Sequence, residues 1–375
     1  MRSRRFVLVV LGLLGLLHLY IGLRILPALP WSPLAQGTGA LLLLLSCGLI
    51  PAGLTARSRA TDHLSWAGLL LMGLFSSLLV FTFLRDIVLG LSALFAPAAS
   101  WHDALVEKSA LTVVYGALFA TLIGFLNARR RARIVDVDVP IRNLPLGLDG
   151  FTIAQISDIH VGPTIKRGYL DAIVDAVNKL GADMVAVTGD LVDGSVEKLA
   201  PHTQPLSRLS ARYGSYFVTG NHEYYSGAPA WIAEVERLGL RVLKNEHVVI
   251  EHNGSTIVIA GITDYSAHQF DPQQRSDPHA AVAGAPETTR VLLAHQPRSA
   301  FAAAAAGYDL QISGHTHGGQ FWPWNHFVRF QQPFTAGLRQ INDLLVYISR
   351  GTGYWGPPKR FGAPSEITRL RLVRG

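Results

Sequence analysis

The pattern of apolar and polar positions changes near residue 134. Before it, apolar residues run in long blocks; after it, short apolar runs alternate with polar residues or recur every three to four positions. A membrane-crossing helix needs about 20 predominantly apolar residues, because the hydrocarbon layer is roughly 30 Å thick and every backbone amide there must be satisfied within its own helix. Four segments suit that requirement: 6–26, 38–54, 64–84 and 109–128. The first is interrupted by His18 and, near its end, by Arg24, whose long side chain can snorkel to the interface. The stretch 87–101 is apolar but short and broken by Pro97, so it reads as a re-entrant or interfacial piece; a full crossing there would invert the orientation given below. Ionisable residues within spans usually mark function. Only His18 and Arg24 qualify, and the helices read as an anchor.

From Ile134 the pattern predicts alternating strands and helices. Residues 134–139 alternate as a half-buried strand does, and 151–156 form a buried strand. Leu170, Ile173, Val174, Val177 and Leu180 recur at helical spacing, with Gly181 as the stop. A strand at 184–187, a helix around 196–209 and a strand at 216–218 follow, which implies parallel pairing through right-handed crossovers. Later strands are expected at 247–250, 256–262, 291–294, 310–312, 344–348 and 366–372, with a helix over the alanine run 302–306. The fold class is α/β with layered sheets, in two domains: helical membrane residues 1–133, then residues 134–375.

Charge adds an orientation. Residues 1–133 carry 12 Lys and Arg against 4 Asp and Glu, whereas 134–375 carry 21 against 22. Positive flanks favour the cytoplasmic side. Arg2, Arg4 and Arg5 precede the first span, Arg57 and Arg59 separate the second from the third, and Arg129, Arg130, Arg131 and Arg133 follow the fourth. Both ends of a four-span bundle then face the cytoplasm, which makes the chain a multi-pass protein of the inner (plasma) membrane with 134–375 on the cytoplasmic side. Ser3-Arg4-Arg5 also fits a twin-arginine export signal, but no clear small-x-small cleavage site follows and three further spans would remain. The content of 16% charged residues is well below the roughly 25% of a soluble domain, which argues against a wholly cytosolic or disordered chain. The net charge of +7 flanks apolar runs rather than forming a basic stripe, so nucleic acid is not expected as a partner. A single cysteine, Cys47, allows no intrachain disulfide. The sequence leaves the oligomeric state open.

Metal-ligand residue types gather at the carboxyl ends of the predicted strands, where open α/β sheets bind ligands. Asp158 and His160 follow the first buried strand, Asp190 the second, and Asn221, His222 and Glu223 the third; His295 closes 291–294, and His315 and His317 follow 310–312. Residues two apart on an extended segment share a side, so Asp158 with His160, and His315 with His317, are expected to face one cavity. Glycines at 189, 220, 314, 318 and 319 allow sharp turns and close approach. Imidazole, carboxylate and amide donors together suit manganese, iron or zinc better than magnesium, manganese being favoured. Seven donors exceed what one such ion takes, which argues for two divalent ions with Asp190 as the shared carboxylate.

Asp158-x-His160, Gly189-Asp190, Gly220-Asn221-His222-Glu223, His295 and Gly314-His315-x-His317 resemble the five blocks of the calcineurin-like metallophosphoesterases, and the preceding spans with Gly314-His-Thr-His-Gly-Gly-Gln320 resemble its bacterial transmembrane branch. The resemblance implies a two-sheet αββα sandwich over roughly 150–375. It implies one ion held by Asp158, His160, Asp190 and His317, a second by Asp190, Asn221, His295 and His315, and His222 as the catalytic residue over the substrate phosphate. Glu223 stands where many members have Asp; it either orients the His222 imidazole or has no role. Two ions about 3.5–4 Å apart can acidify a water and clamp the oxygens of an in-line displacement.

Other candidates are weaker. Arg350 and Arg360 could pair with a phosphate, Asp264 is a turn former or pocket residue, and His202, His247, His252, His268, His279 and His326 read as surface or satisfied core positions. Phe321, Trp322, Trp324, Phe327, Phe330 and Phe334 form either an interfacial loop on the bilayer or a small hydrophobic core. With the anchor, the first option suggests a lipid-linked phosphoester or pyrophosphate, and the transmembrane branch resembles hydrolases of UDP-2,3-diacylglucosamine. Two alternatives stand beside it: a broad phosphoesterase of soluble nucleotides or phosphoproteins, and a metal-stabilised sensor or scaffold without turnover.

Overall fold

The computed structural model describes residues 4–55, 62–95 and 100–375; Arg2, Arg57, Arg59 and Pro97 lie outside the described residues. Contacts divide the chain into two units, residues 1–127 with 356–359 and residues 128–355 with 360–375.

In the first unit, four helices among the described residues are long and apolar enough to cross a membrane: α1 (Arg4–Ile25), α2 (Pro33–Thr55), α3 (Asp62–Phe95) and α4 (His102–Arg129). Their outward leucines, among them Leu8, Leu16 and Leu44, are exposed, as a lipid-facing surface requires. Helices α2 and α3 touch backbone to backbone: a Cβ on Gly68 would lie 2.4 Å from the Leu49 carbonyl oxygen, so only glycine permits this approach. His18 is satisfied internally, stacked on Phe75 with ring centroids 4.2 Å apart and with Nε2 3.2 Å from Ser46 Oγ.

Helix α3 does not stop at residue 84. It runs on through Arg85 and Asp86 to Phe95, so residues 87–95 continue a long helix rather than forming a separate re-entrant piece. The reason is charge pairing. Asp86 accepts from both Arg24 Nε (2.9 Å) and Tyr20 Oη (2.8 Å), while Arg85 donates to Ser109 Oγ, Arg24 O and Val106 O. Charges satisfied by neighbouring helices need not end a span, which the linear pattern could not show.

In the second unit two six-stranded sheets pack face to face. The first contains β1 (Arg133–Ile141), β2 (Thr152–Ile156), β3 (Met184–Val187), β4 (Ser215–Phe217) and β5 (Arg241–Val242), joined near its edge by the final strand of the chain. The second contains β6 (Glu246–His252), β7 (Ser255–Gly261), β8 (Thr289–Leu293), β9 (Leu310–Ser313), β10 (Gly337–Ile341) and β11 (Leu344–Ile348). The final strand, β12 (Glu366–Arg374), lies between β1 and β2, parallel to the former and antiparallel to the latter. The orders are β1-β12-β2-β3-β4-β5 and β10-β11-β9-β8-β7-β6, with β2-β3-β4-β5 and β7-β8-β9-β11 parallel.

Strand alternation sorts side chains into three cores. Ile153, Met184 and Leu370 from one sheet meet Ile257, Ile259, Leu293 and Ile312 from the other. On the outer face of the first sheet, Ala154, Ile156, Val185 and Val187 pack on α5 (Arg167–Asn178), α6 (Val196–Thr203) and the helices after β4, α7 (Asn221–Ser226) and α8 (Ala228–Arg237). On the outer face of the second, Ala260, Leu292 and Val346 pack on α9 (Pro278–Val282) and α10 (Ala300–Ala305). This is the αββα sandwich. The short strands β5 and β10 and helices α7 and α9 have too few residues to show a period and were not expected from sequence; α8, also not expected, does carry one, with Ala228, Trp231, Ile232 and Val235 buried at helical spacing.

Candidate metal centre

The carboxyl ends of β2, β3, β4, β8 and β9 converge on one site, where both sheets deliver side chains. Asp158, His160, Asp190, Asn221, His295 and His317 are all buried, and His222 and His315 are half-buried. Three donors form one group, with Nε2 of His317 3.1 Å from Nε2 of His160 and 3.4 Å from Oδ1 of Asp158. Three form another: Nε2 of His295 is 3.1 Å from Oδ2 of Asp190 and 3.2 Å from Nδ1 of His315. Asp190 Oδ2 is also 3.8 Å from His160 Nε2, so one carboxylate oxygen faces both groups. Asn221 Oδ1 is buried with no hydrogen-bond partner among the described residues, an acceptor left open on the residue after Gly220, which packs on Asp190.

The two histidine-containing pairs do converge on one site, but strand alternation is not the cause. Asp158, His160, Asp190, His315 and His317 all have φ between 52° and 70°, the left-handed region that non-glycine residues rarely adopt. Such strain persists only where surrounding contacts over-determine it, and it clusters at functional sites. The contacts are visible. Asp158 N donates to Gly189 O, His160 N to Asp190 O, His315 N to Asp158 Oδ1 (2.9 Å), and His222 N to Asp190 Oδ1 (2.9 Å). Two glycines are obligatory for close approach: a Cβ on Gly220 would lie 2.2 Å from Asp190 Oδ1, and one on Gly314 2.0 Å from Ser157 Oγ.

The electrostatics suit cations. His295 Nδ1 lies 2.8 Å from the Thr188 carbonyl oxygen and Nε2 3.1 Å from Asp190 Oδ2; burial alone would depress this imidazole, but the charge of Asp190 and the bond to it push it well above the usual histidine range. Burial, helped by His295, pushes the His315 imidazole down to about 3, leaving a neutral donor. Burial raises the Asp158 carboxyl, whereas Asp190 is held well below the usual carboxylate range because His295 and His222 outweigh its burial.

Asp193, not singled out from sequence, completes the site. Its Oδ1 lies 2.5 Å from His222 Nδ1 and its Oδ2 3.4 Å from His160 Nδ1. Burial alone would depress the His222 imidazole, but the charge of Asp190 and the bond to Asp193 push it up to about 9. The available signal was the second carboxylate three residues after Asp190, followed by Gly194.

Glu223 does not orient His222. Its carboxylate accepts from Gly220 N (2.6 Å), Asp190 N (3.0 Å) and Leu191 N (2.8 Å), bracing the loops after β3 and β4, and burial raises it to about 7. Of the two proposed phosphate-pairing arginines, Arg360 has its whole guanidinium engaged, whereas Arg350 is committed through one nitrogen. Arg350 Nη1 donates to Glu366 Oε2 (2.9 Å), and Arg360, fully buried, donates to the carbonyls of His317, Arg350 and Ala363 and to His317 Nδ1 (3.2 Å). Asp264 is a turn former, accepting from Ser266 N and Gln296 Nε2. In the aromatic segment Phe321 is buried and Phe334 packs on the second sheet's outer core, whereas Trp322, Trp324, Phe327 and Phe330 are exposed.

Residues 151–319 match the calcineurin-like phosphoesterase family model. A transmembrane protein with metallophosphoesterase domain from Danio rerio is 35% identical over 80% of this chain and 72% of its own length; its Bos taurus counterpart is 38% identical over 72% and 63%. An uncharacterized metallophosphoesterase of Helicobacter pylori is 36% identical over 67% of this chain and 66% of its own. The chain thus spans about two thirds of the length of these relatives. Among solved structures, a dimetal phosphatase from Danio rerio overlaps with a TM-score of 0.35 and 13% identity, covering 60% of this chain and 99% of that one. With the metal-ligand residue types gathered at the strand ends and a relative of this identity and coverage, the chain belongs to the calcineurin-like metallophosphoesterase family.

Proposed function

We propose that this chain is a membrane-anchored phosphohydrolase that uses two divalent ions to cleave a phosphoester or pyrophosphate, its substrate being lipid-linked, as UDP-2,3-diacylglucosamine is. The observation that carries the reading is the convergence of six donors into two groups of three that meet at one Asp190 oxygen, with His222 beside them. Asp158, His160, Asp190 and His317 would hold one ion, and Asp190, Asn221, His295 and His315 the other; the open Asn221 Oδ1 and the neutral His315 and His317 fit that role. Manganese, iron or zinc bound there would supply an acidified water and charge neutralisation for in-line displacement at phosphorus.

The chain's own residues do the rest. His222 gives its Nδ1 proton to Asp193 as a hydrogen bond and keeps a proton on Nε2. Held that way, it can deliver that proton to the leaving oxygen, a step typically worth about 10² to 10⁴ in rate. The left-handed backbone and the Glu223 brace hold the donors in place before substrate arrives.

Two features support a lipid-linked substrate at the cytoplasmic face of the inner membrane. Four long apolar helices precede the site in the same chain, flanked by arginines. Trp322, Trp324, Phe327 and Phe330 leave 39–73% of their surface exposed on one segment, which suits a membrane interface better than a mini-core. Full-length protein loaded with manganese would be assayed against lipid pyrophosphates, nucleotides and phosphopeptides, alongside Asp190→Asn. Metal-dependent hydrolysis lost in Asp190→Asn supports the reading; no turnover of any ester would favour a scaffold. Replacing the four exposed aromatics by Ser should lower the ratio of lipid to small-ester hydrolysis, and an unchanged ratio would point to soluble substrates. A reporter fused after Gly375 should be active only in the cytoplasm.

A further inference from the structure

Three aromatic rings stand beside His222 and take no part in the chemistry above. Tyr225 lies one helical turn after it on α7, with ring centroids 5.2 Å apart; Trp355 approaches from the segment after β11 at 5.8 Å; and Phe270 extends the wall, 5.6 Å from Tyr225. These rings are 63%, 42% and 50% exposed respectively. Trp355 is nevertheless fixed. Its backbone N donates to Gln320 Oε1 (2.8 Å) and its carbonyl accepts from Gln320 Nε2 (2.9 Å), a two-point clamp on a residue that follows the His317-Gly-Gly turn. The clamp fixes the backbone from which the Trp355 ring projects, so less ordering is left to an incoming partner.

We propose that Tyr225, Trp355 and Phe270 form a subsite that stacks a planar ring carried by the phosphate, so that the substrate class is a nucleoside phosphate or pyrophosphate ester. Position sets the occupant: rings next to the imidazole assigned to the phosphoryl group meet whatever is esterified to it. The chemistry of the wall sets the class. It presents flat π surfaces, which stack on any nucleobase, rather than the branched aliphatic side chains that would line a channel for acyl chains.

The proposal rests on the two-ion reading, and one experiment separates the two. Manganese-loaded full-length protein is assayed on uridine monophosphate, glycerol phosphate and phosphatidic acid, as wild type and as Tyr225→Leu, Trp355→Leu and Trp355→Phe, with bound ions counted in each. The expected result is a fall of about 5- to 150-fold in the kcat/KM ratio of uridine monophosphate to glycerol phosphate in each Leu variant, as loss of a base-stacking ring produces. Trp355→Phe should recover most of that ratio, and ion content should hold. An unchanged ratio in a variant with full ion content overturns the subsite, as does a selective loss on phosphatidic acid, which would make the occupant an acyl chain. No metal-dependent turnover of any of the three by the wild type would instead sink the two-ion reading.

Discussion

Replacing Asp193 by Asn keeps the shape of the group beside His222 and removes its charge. The contact is short, 2.5 Å between Oδ1 and Nδ1, and the Asp193 side chain is 5% exposed, so water does little to screen it. A hydrogen bond to a charged group is worth about 1.5–3 kcal/mol and one between neutral groups about 0.5–1.5. The exchange should therefore remove about 1–1.5 kcal/mol of support for the protonated imidazole, a loss of roughly 5- to 13-fold in kcat/KM. His222→Ala sets the ceiling at about 10² to 10⁴. Because Asp193 Oδ2 is also 3.4 Å from His160 Nδ1, a single variant cannot separate proton delivery from ion holding. The assay is a double-mutant cycle on an aryl phosphate with ions counted per chain. Asp193→Asn should cost 5- to 13-fold alone and almost nothing in the His222→Ala background. Equal losses in both backgrounds, or a loss that tracks ion content, would refute the assignment of Asp193 to His222.

Three further outcomes follow from the geometry. Gly220→Ala places a Cβ 2.2 Å from Asp190 Oδ1 and 2.5 Å from Asp190 N, so calorimetric titration with manganese should show weakened binding of both ions while circular dichroism keeps the native spectrum. Glu223→Ala strands three buried amides, at about 1–3 kcal/mol each; with partial relaxation, denaturant unfolding should show a loss of about 3–6 kcal/mol, and a loss under about 1 kcal/mol would remove the brace assignment. Arg360→Met removes the donor at 3.2 Å from His317 Nδ1 and should weaken ion affinity by about 10- to 100-fold, measured by competition with a chelator; unchanged affinity would show that the guanidinium holds only the backbone.

Much of the site was legible because its residues follow strands whose apolar runs are unambiguous. The run 184–187 was bounded to the residue, and Asp190 lies at its exit. What stayed hidden was of one kind. Asp193 reads as an ordinary loop carboxylate until α7 brings His222 beside it, and Glu223 is adjacent to His222 in sequence, yet its carboxylate turns to Asp190 N and Leu191 N. Arg360 carries the same charge as a phosphate-binding arginine, yet it is 1% exposed and spends its donors on carbonyls. Helix α3 overran its apolar segment because Arg24 and Tyr20, on another helix, satisfy Asp86.

Hydrophobic period and length are local properties, so the sequence by itself determined the apolar helices, the layered α/β class and the strand ends at which Asp158, Asp190, Asn221, His295 and His315 emerge. Distances between side chains 20 to 157 positions apart are not local. Only the packing of two sheets decided that His160 meets His317, that one Asp190 oxygen faces both donor groups, and that backbone strain at five donors is held by bonds from neighbouring loops. A one-dimensional pattern records which residues are buried, but burial alone does not say which polar atoms they meet.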